Sequence, residues 1–356
     1  MHLRTSIRYV TIALALTVLG TLAIPFAPIS SAGGSVFAQE GCDYPSETLQ
    51  IMAPAAPGGG WDTTAREIQR VLEKEGIVEQ SVEVFNVEGA GGTIGLAQLV
   101  NDNAGDPHTL MVMGMVMIGA IGTNQAEVGL DTVTPIASLT AEYEVIVVPA
   151  DSEYQTLDDL MADFVADPGA ISWAGGSAGG TDHILVGLMA QAAGIDPTLI
   201  NYIPYSGGGE ALAAILGGQV SAGVSGLGEW QDQIIAGELR ALAISGSSAG
   251  DSGTPGAGAA SSPVADALVI PTLQEQGVDV ELANWRGIVA PPDLTAEQRD
   301  CIVAMIQEMH DSEAWQAVLE NYGWQDFFMA GEDFDDFLPG ETERINGILQ
   351  SLGLIE

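Results

Sequence analysis

Four glycine-rich turns carry the chemistry this chain is best equipped for. They read Pro57-Gly58-Gly59-Gly60-Trp61-Asp62, Gly89-Ala90-Gly91-Gly92-Thr93, Gly175-Gly176-Ser177-Ala178-Gly179-Gly180-Thr181 and Ser206-Gly207-Gly208-Gly209. Each follows a short apolar run and precedes a stretch of helical periodicity. Glycine lets the backbone come close to a ligand. The first N–H groups of a helix lack internal partners and sit at the positive end of its dipole. Strand, glycine turn and helix start is therefore an anion-binding arrangement, and four copies point to a receptor for a small anion.

Rival chemistry is weaker. Gly175-Gly176-Ser177-Ala178-Gly179 also fits the Gly-x-Ser-x-Gly elbow of serine hydrolases. Under that reading Ser177 is the nucleophile and His310 the base, with Asp293 or Asp300 between them. The pattern is short, and glycine-rich turns generate it by chance. Gly89 to Gly95 lacks the third glycine of a dinucleotide fingerprint, since Ile94 stands there. His108, His183 and His310 have no paired ligand spacing, and no calcium loop of alternating Asp and Asn is present. No catalytic residue, metal or cofactor is expected.

The turns need a scaffold of alternating strands and helices. Helices are expected at 62–75, 93–101, 157–166, 181–193, 208–216, 229–236, 296–310 and 332–352. Strands are expected at 49–53, 82–85, 110–113, 145–148, 171–174, 200–203, 221–224, 239–244 and 282–289. Such alternation predicts an α/β fold with mostly parallel sheets and a ligand beyond the carboxyl ends of the strands. The segment 246–262 is almost all Gly, Ala and Ser and reads as a flexible surface loop.

Arg4 and Arg8, an apolar stretch from Val10 to Ala23 and the small-x-small site Val36-Phe37-Ala38 read as an export signal, residues 1–38, cleaved near Ala38. The remainder suits two domains. Two cysteines, Cys42 and Cys301, allow one intramolecular disulfide or two separate thiols. If bonded, they lay the N-terminal segment against the helix containing Cys301. The formal charge is −39, from 48 acidic against 9 basic residues, and Lys74 is the only lysine. That charge argues against nucleic acid and anionic membrane surfaces as partners. Scattered acids of this density read as a surface adapted to high salt. The same field repels anions at long range, so local donors must supply any attraction.

Ile51-Met52-Ala53-Pro54-Ala55-Ala56-Pro57-Gly58-Gly59-Gly60-Trp61-Asp62 resembles the opening signature of the tripartite tricarboxylate transporter substrate-binding receptors, the Bug-type receptors. Gly89-Ala90-Gly91-Gly92-Thr93-Ile94-Gly95, Pro204-Tyr205-Ser206-Gly207-Gly208, Leu216-Gly217-Gly218-Gln219-Val220 and Gly237-Glu238-Leu239-Arg240-Ala241-Leu242-Ala243 continue the match. Pro271-Thr272-Leu273-Gln274-Glu275-Gln276-Gly277 and Trp285-Arg286-Gly287-Ile288-Val289-Ala290-Pro291 complete it in family order. The resemblance implies a two-lobed, type II periplasmic-binding-protein-like fold that closes on a carboxylate, acts as a monomer and delivers its ligand to large and small membrane transporter subunits. One lobe would hold 39–142 plus 285–356 and the other 143–284, with crossovers near 142–148 and 282–289. A sensory receptor serving a signalling partner is the alternative on the same fold. Three departures stand out: Asp106-Pro107-His108-Thr109, Gly114-Met115-Val116-Met117-Ile118-Gly119 where the family is rich in Ser and Thr, and Ser206 in place of a basic residue. They point to a mono- or dicarboxylate with some apolar body rather than citrate.

Under the resemblance, Gly58, Gly59 and Gly60, next to Pro57, cradle a carboxylate through backbone N–H groups. Ser177, Gly179, Gly180 and Thr181 form the opposing cradle, where a hydroxyl donates beside converging N–H groups. His183 is a neutral donor or a structural histidine. Tyr205, Ser206 and Gly207 face the same crevice. Ser225 and Trp285 are further candidates, Trp285 alternatively as hinge packing. Asp62 is expected to cap the first helix, and Arg66, one turn in, to brace the lobe structure or else to contact the ligand. Met115 and Met117 read as core, or as the apolar side of the pocket.

Overall fold

The computed structural model describes residues 42, 44–205, 207–246 and 268–356. The expected export signal, Ser206 and nearly all of the 246–262 segment lie outside the described residues.

The first third of the chain alternates as its periodicity predicts. β1 (Leu49–Ala53), β2 (Val82–Asn86) and β3 (Thr109–Gly114) are parallel, in the order β2-β1-β3, with α1 (Gly60–Lys74) and α2 (Thr93–Asp102) as crossovers. In α1, Ala65, Ile68, Val71 and Leu72 are fully buried, and their spacing places them on one stripe. All six residues of β3 are buried, which requires a continuous apolar run instead of alternation.

β4 (Thr134–Pro149) departs from the expected parallel pattern. It runs for 16 residues, antiparallel to every strand it meets. Its first part pairs with β9 (Ala283–Ala290) and β10 (Gln325–Ala330). From Glu144 onward it pairs with β7 (Ala222–Gly226), and from Val145 with β8 (Leu239–Ile244). β5 (Ser172–Gly175) and β6 (Asn201–Pro204) extend that second sheet in the order β7-β5-β6, all parallel. One strand thus serves two sheets, and the fold is α/β with two lobes. The sequence reading found only the second part of β4. Ala137, Leu139, Ala141 and Tyr143 alternate with Ser138, Thr140, Glu142 and Glu144, which is a strand's period of two, but here both faces are buried.

The helices follow their caps. α4 (Leu157–Ala166) and α8 (Ala296–His310) begin with capping boxes at Thr156 and Thr295. α3 (Met115–Thr123) springs from Gly114, where a loop was expected. α5 (Thr181–Ala192), α6 (Gly208–Leu216) and α7 (Leu227–Ile235) each follow a strand of the second sheet. Ser312 caps α9 (Glu313–Tyr322), which with β10 was not expected, and α10 (Glu332–Ser351) closes the chain. Val145 and Val147 pack with Ile215, Trp230 and Ile244. Ile146 and Val148 point to the opposite face and join the main core. Cys42 and Cys301 form a disulfide with a Cα–Cα distance of 5.7 Å, tying the segment at Cys42 to α8.

Candidate functional site

The four glycine turns meet at one cavity of about 500 Å³. Gly59, Gly60 and Trp61 reach it from the start of α1, and Gly89, Ala90, Gly91 and Gly92 from the turn before α2. Gly176, Ser177, Gly180, Thr181 and Asp182 come from the turn into α5, and Gly207 and Gly208 from the start of α6. A fifth helix start joins them through Ser225, Gly226 and Glu229 at the β7–α7 junction. All five lie at carboxyl ends of strands, where open α/β sheets bind ligands. β4 and β9 contribute Glu142, Asn284 and Arg286. A neighbouring cavity of about 490 Å³ shares Ala90, Gly91, Val116, Ser177 and Gly180 and adds Tyr205.

Each helix start leaves donors. The first i→i−4 bond of α1 runs from Thr63 N–H to Gly59 O, so the N–H groups of Gly60 and Trp61 have no acceptor within the helix. In α5 the first such bond is Ile184 to Gly180, and in α6 Ala211 to Gly207. The N–H groups of Thr181 and Gly208 are therefore also outside the helical ladder.

Carboxylates of the chain itself take part of this supply. Asp62 accepts the Gly58 N–H at 2.8 Å, Asp182 accepts the Gly176 N–H, and Glu142 accepts the Gly228 N–H at 3.2 Å. Asp62 is consequently the third residue of α1 and not its cap, which is Gly59. Burial opposes the Asp62 charge, but bonds from Arg66, Gly58 and Asn86 outweigh it and hold the carboxyl below its usual range. Arg66 braces Asp62 at 2.9 Å and does not line the cavity.

Of the residues expected at the site, Gly59, Gly60, Ser177, Gly180, Thr181, Gly207 and Ser225 line the cavity. Tyr205 lines the adjoining one, and Ser206 is outside the described residues. Pro57, Gly58, Gly179, His183 and Trp285 do not line it. The Gly58 N–H is spent on Asp62, and the Gly179 N–H on His183 Nδ1 at 3.1 Å. The His183 ring stacks on Tyr202 at 4.2 Å, and burial lowers its pKa to about 4. It is a neutral prop behind the turn. Trp285 donates to Glu341 at 3.1 Å and packs edge-on against Phe334 and Phe337. Strand alternation turns it away from the cavity that Asn284 and Arg286 line. Met115 and Met117 are fully buried, while Val116 between them lines the cavity. Both ring nitrogens of His310 face Asp326 and Asp311, at 3.0 and 3.1 Å, and the ring stacks on Phe328, so it does not serve Ser177.

The sequence reading missed Glu142, Asp182, Glu229 and Arg286. Arg286 Nη2 lies 2.6 Å from Glu142 Oε2, both side chains nearly buried. A Cβ on Gly60 would stand 2.7 Å from that Nη2, so only glycine lets the guanidinium rest against the start of α1. Burial first, then the charges of Glu229 and Glu142, raise the Asp182 pKa to about 6. Burial and the Asp182 charge push fully buried Glu144 well above the carboxylate range. Crowding by the walls and the charge of Glu142 raise Glu229, which remains open to solvent along the cleft. Among the described residues no three His, Cys, Asp or Glu side chains converge as metal ligands, and no helix is long and apolar enough to cross a membrane.

Residues 64–354 match the Tripartite tricarboxylate transporter family receptor. Protein BugT of Bordetella pertussis is 28% identical over 320 residues, covering 87% of this chain and 90% of that protein. The structure of R. palustris Rpa4515 with adipate has a TM-score of 0.71 at 21% identity, covering 87% of this chain and 99% of that one. MatC from Rhodopseudomonas palustris with bound malate has a TM-score of 0.67 at 22% identity, covering 88% and 100%. The shared fold is that of two-lobed periplasmic binding proteins. With the family match spanning most of its length, the chain belongs to the tripartite tricarboxylate transporter family of solute receptors.

Proposed function

We propose that the protein is an exported, monomeric solute receptor that captures a small carboxylate in an interlobe cleft and delivers it to the large and small membrane subunits of a tripartite tricarboxylate-type transporter. The convergence of five helix starts on one cavity carries this reading. Such starts favour an anion through aligned N–H groups and the dipole. Adipate with Rpa4515 and malate with MatC are ligands of this chemistry. The proposed lobes are 39–142 with 285–356, and 143–284. β4 supports that division by exchanging its partner β9 for β7 between Tyr143 and Glu144. Closure on a ligand then gains contacts from both lobes and gives the transporter a distinct form to read.

The test is thermal unfolding of the purified protein in high salt against mono-, di- and tricarboxylates. A ligand at 100 times its Kd adds about 2.7 kcal/mol of stability. Gly60→Leu, which displaces Arg286 and blocks the start of α1, should abolish the shift. No shift with any member of the panel, for protein shown free of carried-over ligand, sinks the reading.

A further inference from the structure

We propose that the membrane subunit of the transporter docks on this receptor by seating an apolar segment flanked by basic residues in a groove between α3 and α10. This rests on the transporter-receptor reading above. The groove holds about 870 Å³ and shares no lining residue with the cleft cavities. Ile118, Ile121, Leu130, Val133, Leu338 and Pro339 make its lining apolar. Its polar margin is acidic: Asp131, Asp335 and Glu343 line it, and no lysine or arginine among the described residues does. An apolar centre inside a polar rim is the anatomy of a protein-binding surface.

α10 leaves this groove open at some cost to itself. Pro339 and Gly347 both line it, and both residue types weaken the interior of a helix. Nothing in the chain's own packing requires glycine at 347. A Cβ there would meet no atom within 4 Å, so the protein's own side chains do not fill the space beside it. The charges indicate the partner. Asp335 is paired with Arg299 at 2.7 Å, but no ion pair reaches Asp131 or Glu343 among the described residues. Those carboxylates favour lysine or arginine beside the apolar segment and disfavour an anionic lipid surface.

The groove is also placed to sense the lobes. α3 turns Val116 to the cleft cavity and Ile118 and Ile121 to the groove. Gly119, on the same helix, lies against the Gly179 carbonyl of the turn before α5, with no room for a Cβ between them. α10, the other wall, reaches α5 itself. Gln191 donates to Ser351, and Leu352, just past the end of α10, leaves no room for a Cβ on Gly187. Both walls thus touch the second sheet's side of the cleft, so a partner in the groove distinguishes the closed receptor from the open one.

The test is binding of the protein to vesicles carrying the transporter's large and small membrane subunits, compared with bare vesicles of the same lipid. Calorimetric titration with the carboxylate that the thermal panel identifies runs in parallel. Gly347→Phe fills the groove, and Glu343→Lys reverses the charge of its margin. Each should lower affinity for the loaded vesicles about ten-fold or more and leave carboxylate affinity at the wild-type value. Glu343 is exposed, so its variant serves if Gly347→Phe does not fold. Wild-type vesicle affinity in either folded variant overturns the inference and leaves the receptor reading intact. A wild-type dimer that Gly347→Phe breaks gives the groove to a second copy and overturns it as well. Wild-type protein that takes a carboxylate yet binds loaded vesicles no better than bare ones overturns the inference together with the transporter part of that reading.

Discussion

A buried carboxyl facing another keeps its proton, and Asp182 and Glu144 are such a pair. The folded pKa of Asp182, about 6, lies above its ordinary value of 3.8. Between those values the folded state binds the extra proton, so stability falls as pH rises through this window. The cost is fully present above it, and the rise at Glu144 extends the decline further. A shift of this size corresponds to a few kcal/mol, on the order of 3, at neutral pH. Asp182→Asn removes the charge and keeps an acceptor for the Gly176 N–H. Urea melts of the ligand-free protein should therefore show the variant more stable than wild type by about 1–3 kcal/mol at pH 7.5, with the difference shrinking towards zero near pH 4. Parallel curves for the two proteins across that range would show that the pair carries no strain.

Elements place these residues, and one contact between elements is unusually close. A Cβ on Gly119, in α3, would stand 2.2 Å from the carbonyl oxygen of Gly179, in the turn before α5. Backbone on both sides leaves no side chain to swing away. Gly119→Ala must part α3 from that turn, which belongs to the second sheet's lobe, and so hold the cleft wider. The expected outcome is ligand affinity lowered by about ten-fold, roughly 1.4 kcal/mol, read by titration, with the variant still folded by circular dichroism. Undiminished affinity would show that this contact has no part in closure. Elements of this kind were unevenly legible in the sequence. α4, α6 and α8 were read to the residue, because Thr156, Gly207 and Thr295 mark their starts. The glycine turns were legible for the same local reason. The first part of β4 was missed although Ala137, Leu139, Ala141 and Tyr143 alternate there; what the sequence does not show is that the polar residues between them are buried too, by parts of the chain far away. Ser138, for example, bonds the Phe327 carbonyl. The acidic wall was illegible altogether. Glu142, Asp182 and Glu229 are three acids among 48, brought together only by the fold. Of the two readings of Trp285 the structure shows the packing one, and its neighbour Arg286 faces the cleft, as the alternation of β9 requires.

At the scale of the whole molecule the acids act as a field. A formal charge of −39 on 356 residues repels itself most in the compact state. The screening length falls from about 10 Å at 0.1 M salt to about 3 Å at 1 M. The melting temperature at neutral pH should therefore climb with sodium chloride, steeply at first and then level off once screening is complete. Potassium chloride should act alike. Near the sequence pI of about 4.1 the net charge vanishes, and so should most of the salt effect. A different mechanism predicts a different curve. Salts excluded from protein surfaces stabilise without saturating, and sulfate then outperforms chloride at equal ionic strength. A melting temperature that rises linearly to several molar salt, ranks sulfate above chloride and persists at pH 4 would assign the effect to exclusion. A saturating rise that is lost at pH 4 would assign it to self-repulsion. The acidic surface would then be a liability that salt relieves, and any anion entering the cleft from dilute buffer would have to cross the same field.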